Sequence, residues 1–456
     1  MIQARDATAA LWSLAGLDPA ALDRLTLTGT GPALPSSFAV DVAAHTSIAA
    51  AGLAAAAIHQ ARTGQAQGVS VDRRHAAAEF RSEHYVRAEG EAPGEMWDPI
   101  AGTYRTADGW VRLHTNFPHH RDGVLHLLDC APDKKAVAAA LLNWPAEQFE
   151  TAATAAGMCV AAMRSFAQWD AHPHAAAVAA VPFTIERIAD APPTPFPTSP
   201  SRPLDGLRVL ELTRVIAGPV AGRTLAVHGA DVLHITGPGV PNLPRLITDT
   251  GRGKRAAMID LRTPDGVATL RHLAAGADVF LQSYRQGAIA ARGFDAANLA
   301  ALRPGIVVAD LSAYGATGPW GGKRGFDSLV QTATGFNHAE ATAAGLEGPK
   351  PLPCQALDHG SGYLLAFATM AALLRRATEG GSWKDTVSLA ATGHWLRRLG
   401  RLPTGLATPD MTRESVADLL ETTGPVTAIR HAAQLSATPA HWPRPAATLG
   451  SSPPVW

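Results

Sequence analysis

The sequence predicts an α/β protein in which a domain built on a parallel sheet is joined to a smaller α+β domain. Three observations predict this fold class. Short apolar segments alternate with helical segments after residue 203, a proline-rich segment divides the chain, and the half before that segment has a different pattern. A length of 456 residues also favours two or three domains over one.

The composition is that of a globular protein and excludes several classes of function. Apolar residues make up 46% of the chain, which is enough for a large core. The 39 basic residues balance 39 acidic ones, so a nucleic-acid-binding surface is not predicted. The cysteines Cys130, Cys159 and Cys354 lie far apart and match no metal or disulfide pattern. We therefore expect no metal site and a location in the reducing cytoplasm.

No membrane segment is predicted. The first ten residues lack the apolar centre of a signal peptide. The alanine-rich stretch Ile48–Ile58 is much shorter than the roughly 20 residues that a membrane span needs. It therefore predicts a buried helix in a soluble protein.

The parallel sheet is predicted from the segment between residues 203 and 315. Its strands are expected at Leu207–Leu212, Ala230–Ile235, Ala257–Leu261, Asp278–Gln282 and Gly305–Leu311, with helices between them that include the stretch to His228 and Pro264–Ala275. Apolar strands that alternate with helices are typical of a parallel sheet covered on both faces. This segment should therefore be Rossmann-like.

The first half of the chain predicts a different architecture. An alanine-rich helix is expected over Thr46–Arg62, ending at Thr63-Gly64, and a hairpin over Gly102–Leu113 that turns at Asp108-Gly109. Helices follow between about residues 133 and 157.

We divide the chain into a region with the smaller α+β domain (1–190), a proline-rich linker (191–202), the Rossmann-like region (203–400) and a helical and proline-rich C-terminal strap (401–456).

A faint internal repeat relates the two halves. Residues 49–72 and 367–390 each contain a helix of small residues, a turn with glycine and a strand with Val-Ser. Two alanine-rich helices also resemble each other by chance, and the repeat alone gives the two explanations equal weight. Without gaps, the position that faces Asp358 in the first copy is Ala43.

Two segments are candidates for phosphate binding. The turn Ala217–Gly222 follows the first strand, but Pro219 removes a backbone N–H and no acidic residue follows the second strand, so NAD binding is disfavoured. The loop Gly251–Arg255 carries Lys254 and Arg255 beside flexible glycines. These cations fit either a phosphate grip or a solvated basic loop.

A further segment, Leu357–Gly362 (LDHGSG), is a candidate for catalysis and precedes a helix expected over Tyr363–Arg376. Asp358 at a helix entry is typical of an N-terminal cap, which the residues alone favour. The alternative is a catalytic carboxylate on a glycine-lined turn, with free N–H groups at the helix start that stabilise an oxyanion.

A series of motifs carries a family resemblance. They are Pro203–Leu212, Ala217–Pro219, Gly229–Val232, Gly253–Arg255 with Ile259–Leu261, Ala277–Phe280, Arg292–Phe294, Ser312–Pro319, and Gly325–Asp327 followed by Gln331 and Gly335. In this order and spacing, over about residues 203–395, the sequence resembles the family III CoA-transferases. The resemblance implies that fold and an enzyme that moves CoA between an acyl-CoA and a carboxylic acid.

The resemblance also implies a catalytic residue and a set of CoA contacts. Asp358 matches the aspartate that forms an acyl anhydride in the family, and a carboxylate ionised at neutral pH needs no general base. The implied CoA-binding residues are Arg214, Val215, Ala217, Lys254, Arg255, Arg292 and Gly360. The implied partners are acyl-CoA and a small carboxylic acid, with no metal, nucleic acid or membrane, in a homodimer.

Several features depart from the family pattern. Trp97-Asp98 and Asp108–Val111 resemble the smaller domain that normally follows the Rossmann-like part, so the order is permuted or is that of a truncated tandem. Thr236-Gly237 stands where the family often has a cation after the second strand. The glycine-rich flap of formyl-CoA transferases has no counterpart beyond Gly90 and Gly94. Racemases of the same fold carry a histidine where Phe326 stands, which favours transfer over racemisation. An acyl-CoA racemase or isomerase and a non-catalytic CoA-binding subunit are the alternatives.

Overall fold

The computed structural model describes residues 2–90, 95–198 and 200–456, so Gly94 lies outside the described residues. Its α-helices are α1 (Ala4–Leu14), α2 (Val40–Thr63), α3 (Arg73–Glu79), α4 (Ser82–Tyr85), α5 (Pro118–Leu128), α6 (Lys134–Leu141), α7 (Ala146–Ala155), α8 (Phe166–Asp170), α9 (Ala217–Val227), α10 (Pro244–Thr250), α11 (Pro264–Ala275), α12 (Ala296–Leu302), α13 (Asp327–Ala333), α14 (Phe336–Ala343), α15 (Ala356–Glu379) and α16 (Leu389–Leu399). Its strands are β1 (Leu25–Thr28), β2 (Val69–Asp72), β3 (Arg87–Ala88), β4 (Gly102–Arg105), β5 (Trp110–Leu113), β6 (Val160–Ala162), β7 (Phe183–Ala189), β8 (Arg208–Leu212), β9 (Asp231–Thr236), β10 (Arg255–Met258), β11 (Val279–Gln282), β12 (Val307–Ser312), β13 (Ser382–Ser388), β14 (Leu420–Thr423), β15 (Val426–Ile429) and β16 (Gln434–Leu435).

The central sheet has seven strands in the order β10-β9-β8-β11-β12-β13-β7. Six of them are parallel, and β7 runs antiparallel to β13. Neighbouring residues of β8 face opposite sides of the sheet. Val209 packs in the core with Val220 of α9, whereas Leu210 packs with Leu270 of α11. Helices therefore cover both faces, and the predicted α/β fold is confirmed.

The long helices α2 and α15 pack against each other at the centre of the molecule. Each has 24 residues, and α2 ends at Gly64, which takes the left-handed conformation with φ 73°. Each is followed by a strand, so the two repeat segments fold alike. Both helices carry an aspartate in the first turn, Asp41 in α2 and Asp358 in α15, and Asp41 pairs with Arg73 at 3.0 Å.

Helix α2 is longer than predicted, because it begins at Val40 rather than Thr46. By length and composition it is the one helix of the described chain that could cross a membrane, and 94% of its most apolar 18-residue window is buried inside the fold. The prediction of a buried helix agrees with this burial.

Helix α15 also begins earlier than predicted, at Ala356 rather than Tyr363, and it includes both glycines of the LDHGSG segment. These glycines permit close packing rather than a turn. A Cβ atom on Gly362 would lie 2.6 Å from the carbonyl oxygen of Ala217 in α9. A Cβ atom on Gly360 would lie 3.1 Å from the methyl group of Thr392 in α16.

Three smaller sheets complete the fold: β1-β2-β16, β14-β15-β3 and β4-β5-β6. The predicted hairpin is confirmed as β4 and β5, which pair antiparallel from Gly102 with Leu113 to Arg105 with Trp110. This hairpin and helices α5 to α7 enclose a separate small core. Strand β7 of the first half closes the central sheet, and β16 near the C-terminus pairs with β2. The two halves therefore interlock.

The strap at residues 401–456 differs from its prediction. It contains three short strands and two 3₁₀ helices, Gly405–Ala407 and Glu414–Leu419, but no α-helix. Its end runs along the central sheet. The Ser452 N–H donates to the Ala256 carbonyl at 2.9 Å, and the Trp456 indole N–H donates to the Leu273 carbonyl at 2.8 Å.

Candidate functional site

The candidate site is built around the start of α15. Asp358 lies in the first turn of this helix, whose N-cap residue is Gln355. The backbone N–H groups of Leu357 and Asp358 donate to Oδ2 of Asp327, at 2.7 and 2.9 Å. The side-chain amide of Gln331 donates to the other oxygen of Asp327. Asp327 thus caps the N-terminus of α15 although it belongs to a different helix, and Gln331 fixes the position of its carboxylate.

These contacts overturn two interpretations of Asp358. It is not the N-cap, because the helix starts two residues earlier and no side-chain cap bond forms there. The expected oxyanion donors are also occupied, because the N–H groups of Leu357 and Asp358 already bind Asp327. The capping carboxylate comes from residue 327, which is distant in sequence from the helix that it caps.

The electrostatic environment of Asp358 disfavours its charge. Burial raises the pKa of the Asp358 carboxyl well above its ordinary value, and the nearby charges of Asp327 and Glu83 raise it further. Burial also raises the pKa of Asp327, to about 7, although its N–H donors oppose the shift. The N–H donors favour the ionised form of Asp327, and the charge of each carboxyl disfavours ionisation of the other. The expectation that Asp358 is ionised without assistance at neutral pH stays a prediction, and burial acts against it.

Glu83 contributes its charge from α4 in the first half of the chain. Its Oε2 lies 2.9 Å from Nε2 of His359, and both side chains are buried. Burial acts to raise the pKa of Glu83, but the charge interaction and hydrogen bond with His359 outweigh it and lower the pKa to about 2. The ring of His359 also stacks on Phe80, with centroids 5.6 Å apart. The contact with His359 thus favours the ionised form of Glu83 near Asp358.

An apolar cavity of about 270 Å³ opens on one side of Asp358. Residues of both halves line it, so the site is assembled by the interlocking of the chain. Its apolar lining consists of Val86, Ala88, Met96, Trp97, Val215, Ile216, Leu243, Pro244, Leu246 and Phe326. Its polar lining consists of Arg87, Glu95, His114, Asn116, Arg245, Thr248, Asp327, Gln355 and Asp358.

A second cavity of about 290 Å³ opens on the other side of Asp358 and is cationic. The basic residues in its lining are Arg214, Arg285, Lys323 and Arg324, with His119 and His120. Lys323 is neutralised by Glu150, at 2.7 Å. Asp358 is the one carboxylate among the residues that line this cavity. A ligand with phosphate groups would meet complementary charge here.

The wall between the two cavities has a strained backbone. Val215 lines both cavities and has φ 71°, a conformation that β-branched residues rarely adopt. Ile216 and Phe326 share this wall. Such strain is concentrated at functional sites because surrounding structure must hold it in place.

Comparison with known proteins places this geometry in a family. The model of CoA-transferase family III matches residues 12–200 and 204–404, which together are most of the chain. The chain belongs to CoA-transferase family III. The two matched segments correspond to the two interlocked halves, each of which contains one of the long central helices.

Relatives of known name match the chain in part. The chain is 37% identical to "Probable fatty acyl-CoA transferase Rv3272" of Mycobacterium tuberculosis, over 43% of this chain and 52% of the relative. It is 38% identical to a succinate–glutarate CoA-transferase of Agrobacterium fabrum, over 29% of this chain and 38% of the relative. It spans about half or less of the length of these relatives.

Solved structures match over similar lengths. A crystal structure of the Mycobacterium tuberculosis protein Rv3272 is 33% identical, with a TM-score of 0.41, over 44% of this chain and 58% of that one. A CAIB/BAIF family protein from Brucella suis is 28% identical, with a TM-score of 0.38, over 42% of this chain and 55% of that one.

Three of the residues that the family resemblance assigns to CoA lie beside Asp358. Arg214, Val215 and Ala217 line the cationic cavity. Arg214 also donates to the carbonyl of Pro241, and its guanidinium lies 4.7 Å from the ring of Phe117. Gly360 lies inside α15 and packs on Thr392 rather than lining either cavity.

The other three predicted CoA contacts have partners within the protein. Lys254 is buried, and its Nζ lies 2.7 Å from Oε2 of Glu211. Arg255 pairs with Asp231 at 2.7 Å, and Arg292 donates to the carbonyls of Leu261 and Ala288 at 3.2 and 2.8 Å. Lys254 and Arg255 line a third, smaller pocket, which shares Val215 with both cavities and Arg214 with the cationic one. Their assignment to CoA stays a prediction.

Sequence reasoning missed three residues of the site. Asp327 belongs to the Gly325–Asp327 motif, but its capping of α15 is seen only in the structure. Glu83 and His114 lie in the first half, at positions that no motif marked. Both ring nitrogens of His114 are buried without a hydrogen-bond partner among the described residues, and its ring stacks on Phe326 at 3.8 Å.

Proposed function

We propose that this protein is a CoA-transferase that moves CoA between an acyl-CoA donor and a carboxylic acid acceptor, with Asp358 as the acyl carrier. The observation that carries the proposal is the position of Asp358, a buried carboxyl between an apolar and a cationic cavity. An acyl-CoA has one apolar and one anionic end, joined at the thioester that must react. The two cavities are arranged for these two ends.

The reaction proceeds without net proton transfer. The Asp358 carboxylate attacks the thioester carbonyl, the carbon–sulfur bond breaks, and the CoA thiolate leaves a mixed anhydride on the enzyme. The thiolate then attacks the Asp358 carbonyl, which releases the donor acid and forms an aspartyl-CoA thioester. The acceptor carboxylate reverses both steps, which regenerates Asp358 and yields the new acyl-CoA.

The raised pKa of Asp358 fits a nucleophile that becomes active only when an acyl-CoA is bound in the site. Burial disfavours its ionised form, which also makes that form more reactive once it is present. Exclusion of water from the buried site protects the anhydride from hydrolysis.

CoA is proposed to bind with its phosphates toward Arg285 and Arg324 in the cationic cavity. Arg285 is exposed at the carboxyl end of β11, and Arg324 donates to the Gly157 carbonyl at 2.6 Å. Both lie on loops at the edge where parallel sheets commonly bind ligands. A cytoplasmic location and a homodimer remain predictions, tested by cell fractionation and light scattering.

Transfer and racemisation are separated by one experiment. The protein is incubated in deuterium oxide with an acyl-CoA and a carboxylic acid acceptor, and mass spectrometry follows both CoA exchange and deuterium at the α-carbon. Transferase chemistry predicts acyl exchange without α-deuteration, because no α-proton is removed. Rapid α-deuteration without exchange would refute the proposed function and support a racemase.

A further inference from the structure

We infer that the buried pair of Lys254 and Glu211 is a positioning device for the proposed transfer reaction. The pair holds the turn from Thr213 to Ala217, which forms part of the wall between the two cavities beside Asp358. The inference rests on the proposed function, because that function places the reacting thioester at this wall. Three features of the structure support it: the burial of the pair, its hydrogen bonds to both ends of the turn, and the strain within the turn.

The pair is an ion pair in the interior of the protein. The Lys254 side chain is 3% exposed and that of Glu211 is 0% exposed, and Nζ lies 2.7 and 2.8 Å from the two carboxylate oxygens. Burial acts to raise the pKa of Glu211, but Lys254 and His234 outweigh it and lower the pKa to about 2. A buried ion pair is often no more stabilising than apolar residues of the same volume. Its contacts with neighbouring segments therefore indicate its role.

These contacts join the two ends of the turn. Glu211 lies near the end of β8, and its Oε1 accepts from the Thr213 hydroxyl at 2.6 Å. Lys254 also donates to the Pro219 carbonyl, in the first turn of α9, at 2.8 Å. The ends of the turn are in close contact as well, because a Cβ atom on Gly218 would lie 2.6 Å from Cβ of Thr213. The pair thus clamps the turn at both ends.

The clamp encloses a strained residue. Val215 is at the centre of the turn, has φ 71° and lines both cavities. A β-branched residue persists in this conformation only where the surrounding structure imposes it. Hydrogen bonds that fix both ends of a short turn are such a constraint. Without them, Val215 can relax and move the wall.

The turn also packs on the helix that carries Asp358. A Cβ atom on Gly362, one helical turn after Asp358, would lie 2.6 Å from the carbonyl oxygen of Ala217. A shift of about 1 Å between reacting groups can cost about 100-fold in rate. Lys254 lines neither cavity itself, so it acts on the reaction through the turn.

The test removes the clamp in two ways that differ in charge. Lys254→Met removes the ammonium group at similar volume, and the double variant Lys254→Met/Glu211→Gln leaves no unpaired charge and still folds if the single variant does not. Transfer is measured with acetyl-CoA, hexanoyl-CoA and succinyl-CoA as donors and with acetate, hexanoate and succinate as acceptors. We expect kcat to fall at least about tenfold in both variants, while the Kd of CoA in calorimetry changes less than about threefold. Amide hydrogen exchange of residues 213–218 should become faster.

Gly222→Ala tests the clamp without changing a charged residue. Its Cβ atom would overlap Oε2 of Glu211 and lie 2.9 Å from Nζ of Lys254, whereas alanine itself favours a helix such as α9. This variant should reproduce the lower kcat and the faster exchange. Arg376→Met is the matched control, because Arg376 is also buried, pairs with Asp278 at 2.9 Å and lies outside both cavities. It should lose stability and keep the kcat and the exchange of the turn.

Several results would overturn the positioning role. They are an unchanged kcat in Lys254→Met, an equal loss of kcat in Arg376→Met, and a large loss of CoA affinity at unchanged kcat, which would make Lys254 a direct contact of CoA. Failure of the proposed function looks different, because wild-type protein would then exchange no acyl group with any of these acids. In that case hydrogen exchange decides on the clamp: faster exchange of residues 213–218 in Lys254→Met supports it, and unchanged exchange overturns it.

Discussion

Asp327 offers the most informative perturbation of the site, because its carboxylate both caps α15 and adds negative charge beside Asp358. In Asp327→Ala, the N–H groups of Leu357 and Asp358 lose an acceptor at 2.7 and 2.9 Å. An unpaired buried donor costs about 1–3 kcal/mol, so two of them cost about 2–6 kcal/mol. Removal of a buried charge offsets part of this, and we expect a net loss of about 2–4 kcal/mol in the free energy of unfolding.

Asp327→Asn separates the two roles. The amide oxygen can still accept from the helix N–H groups, so the free energy of unfolding should fall by only about 1 kcal/mol. The like charge beside Asp358 is lost, and its pKa should fall. Transfer requires ionised Asp358, so activity is lost as pH falls through that pKa. The acidic limb of the pH profile should therefore move to lower pH in Asp327→Asn.

The assay combines urea unfolding with pH profiles of kcat/KM for wild type, Asp327→Ala and Asp327→Asn. Asp385→Asn is the control, because Asp385 is another buried carboxyl with a raised pKa and lies outside both cavities. Its acidic limb should match that of the wild type. An unchanged limb in Asp327→Asn, or equal stability of Asp327→Ala and wild type, would refute the role of Asp327.

Substitutions at three further charged residues should have separable effects. Asp358→Asn should lose transfer, and it should become more stable relative to wild type as pH rises above about 4. The reason is that the Asp358 carboxyl ionises in the unfolded protein at that pH, whereas burial opposes its ionisation in the folded protein. An equal pH dependence of the two melting temperatures would contradict this. Lys254→Ala should lower the free energy of unfolding by about 3 kcal/mol, since the buried Glu211 loses its lysine and keeps only Thr213 and His234 as partners among the described residues. Arg285→Ala should weaken CoA binding in calorimetry and leave the melting temperature unchanged. The reverse assignment of the two effects would place CoA at the Gly251–Arg255 loop.

Local sequence patterns predicted the central sheet well. The helix over Pro264–Ala275 has the predicted bounds, because threonine, proline and a following acid mark its start. Strand β10 is shifted by about two residues relative to its prediction, to Arg255–Met258. Its register is set by pairing with β9, which a single strand sequence does not encode.

Contacts between distant segments were not predictable in the same way. Gly360 and Gly362 suggested a turn, but their role is close packing of α15 on α9 and α16, which depends on tertiary structure. Glu83 reaches His359 across 276 positions of sequence, and no local pattern indicates that pairing. The family resemblance proposes Asp358 as the acyl carrier, whereas the direction of its pKa shift and its place inside α15 required the structure.

The central claim is tested most directly by trapping the acyl group on Asp358. Wild-type protein and Asp358→Asn are incubated with hexanoyl-CoA, acetyl-CoA and succinyl-CoA, treated with hydroxylamine, and digested for mass analysis of the peptide that contains residue 358. The account predicts conversion of Asp358 to a hydroxamate in wild type only, with Asp327 unmodified in the same digest. A protein that exchanges acyl groups without modification of Asp358, or an equally active Asp358→Asn variant, would contradict it.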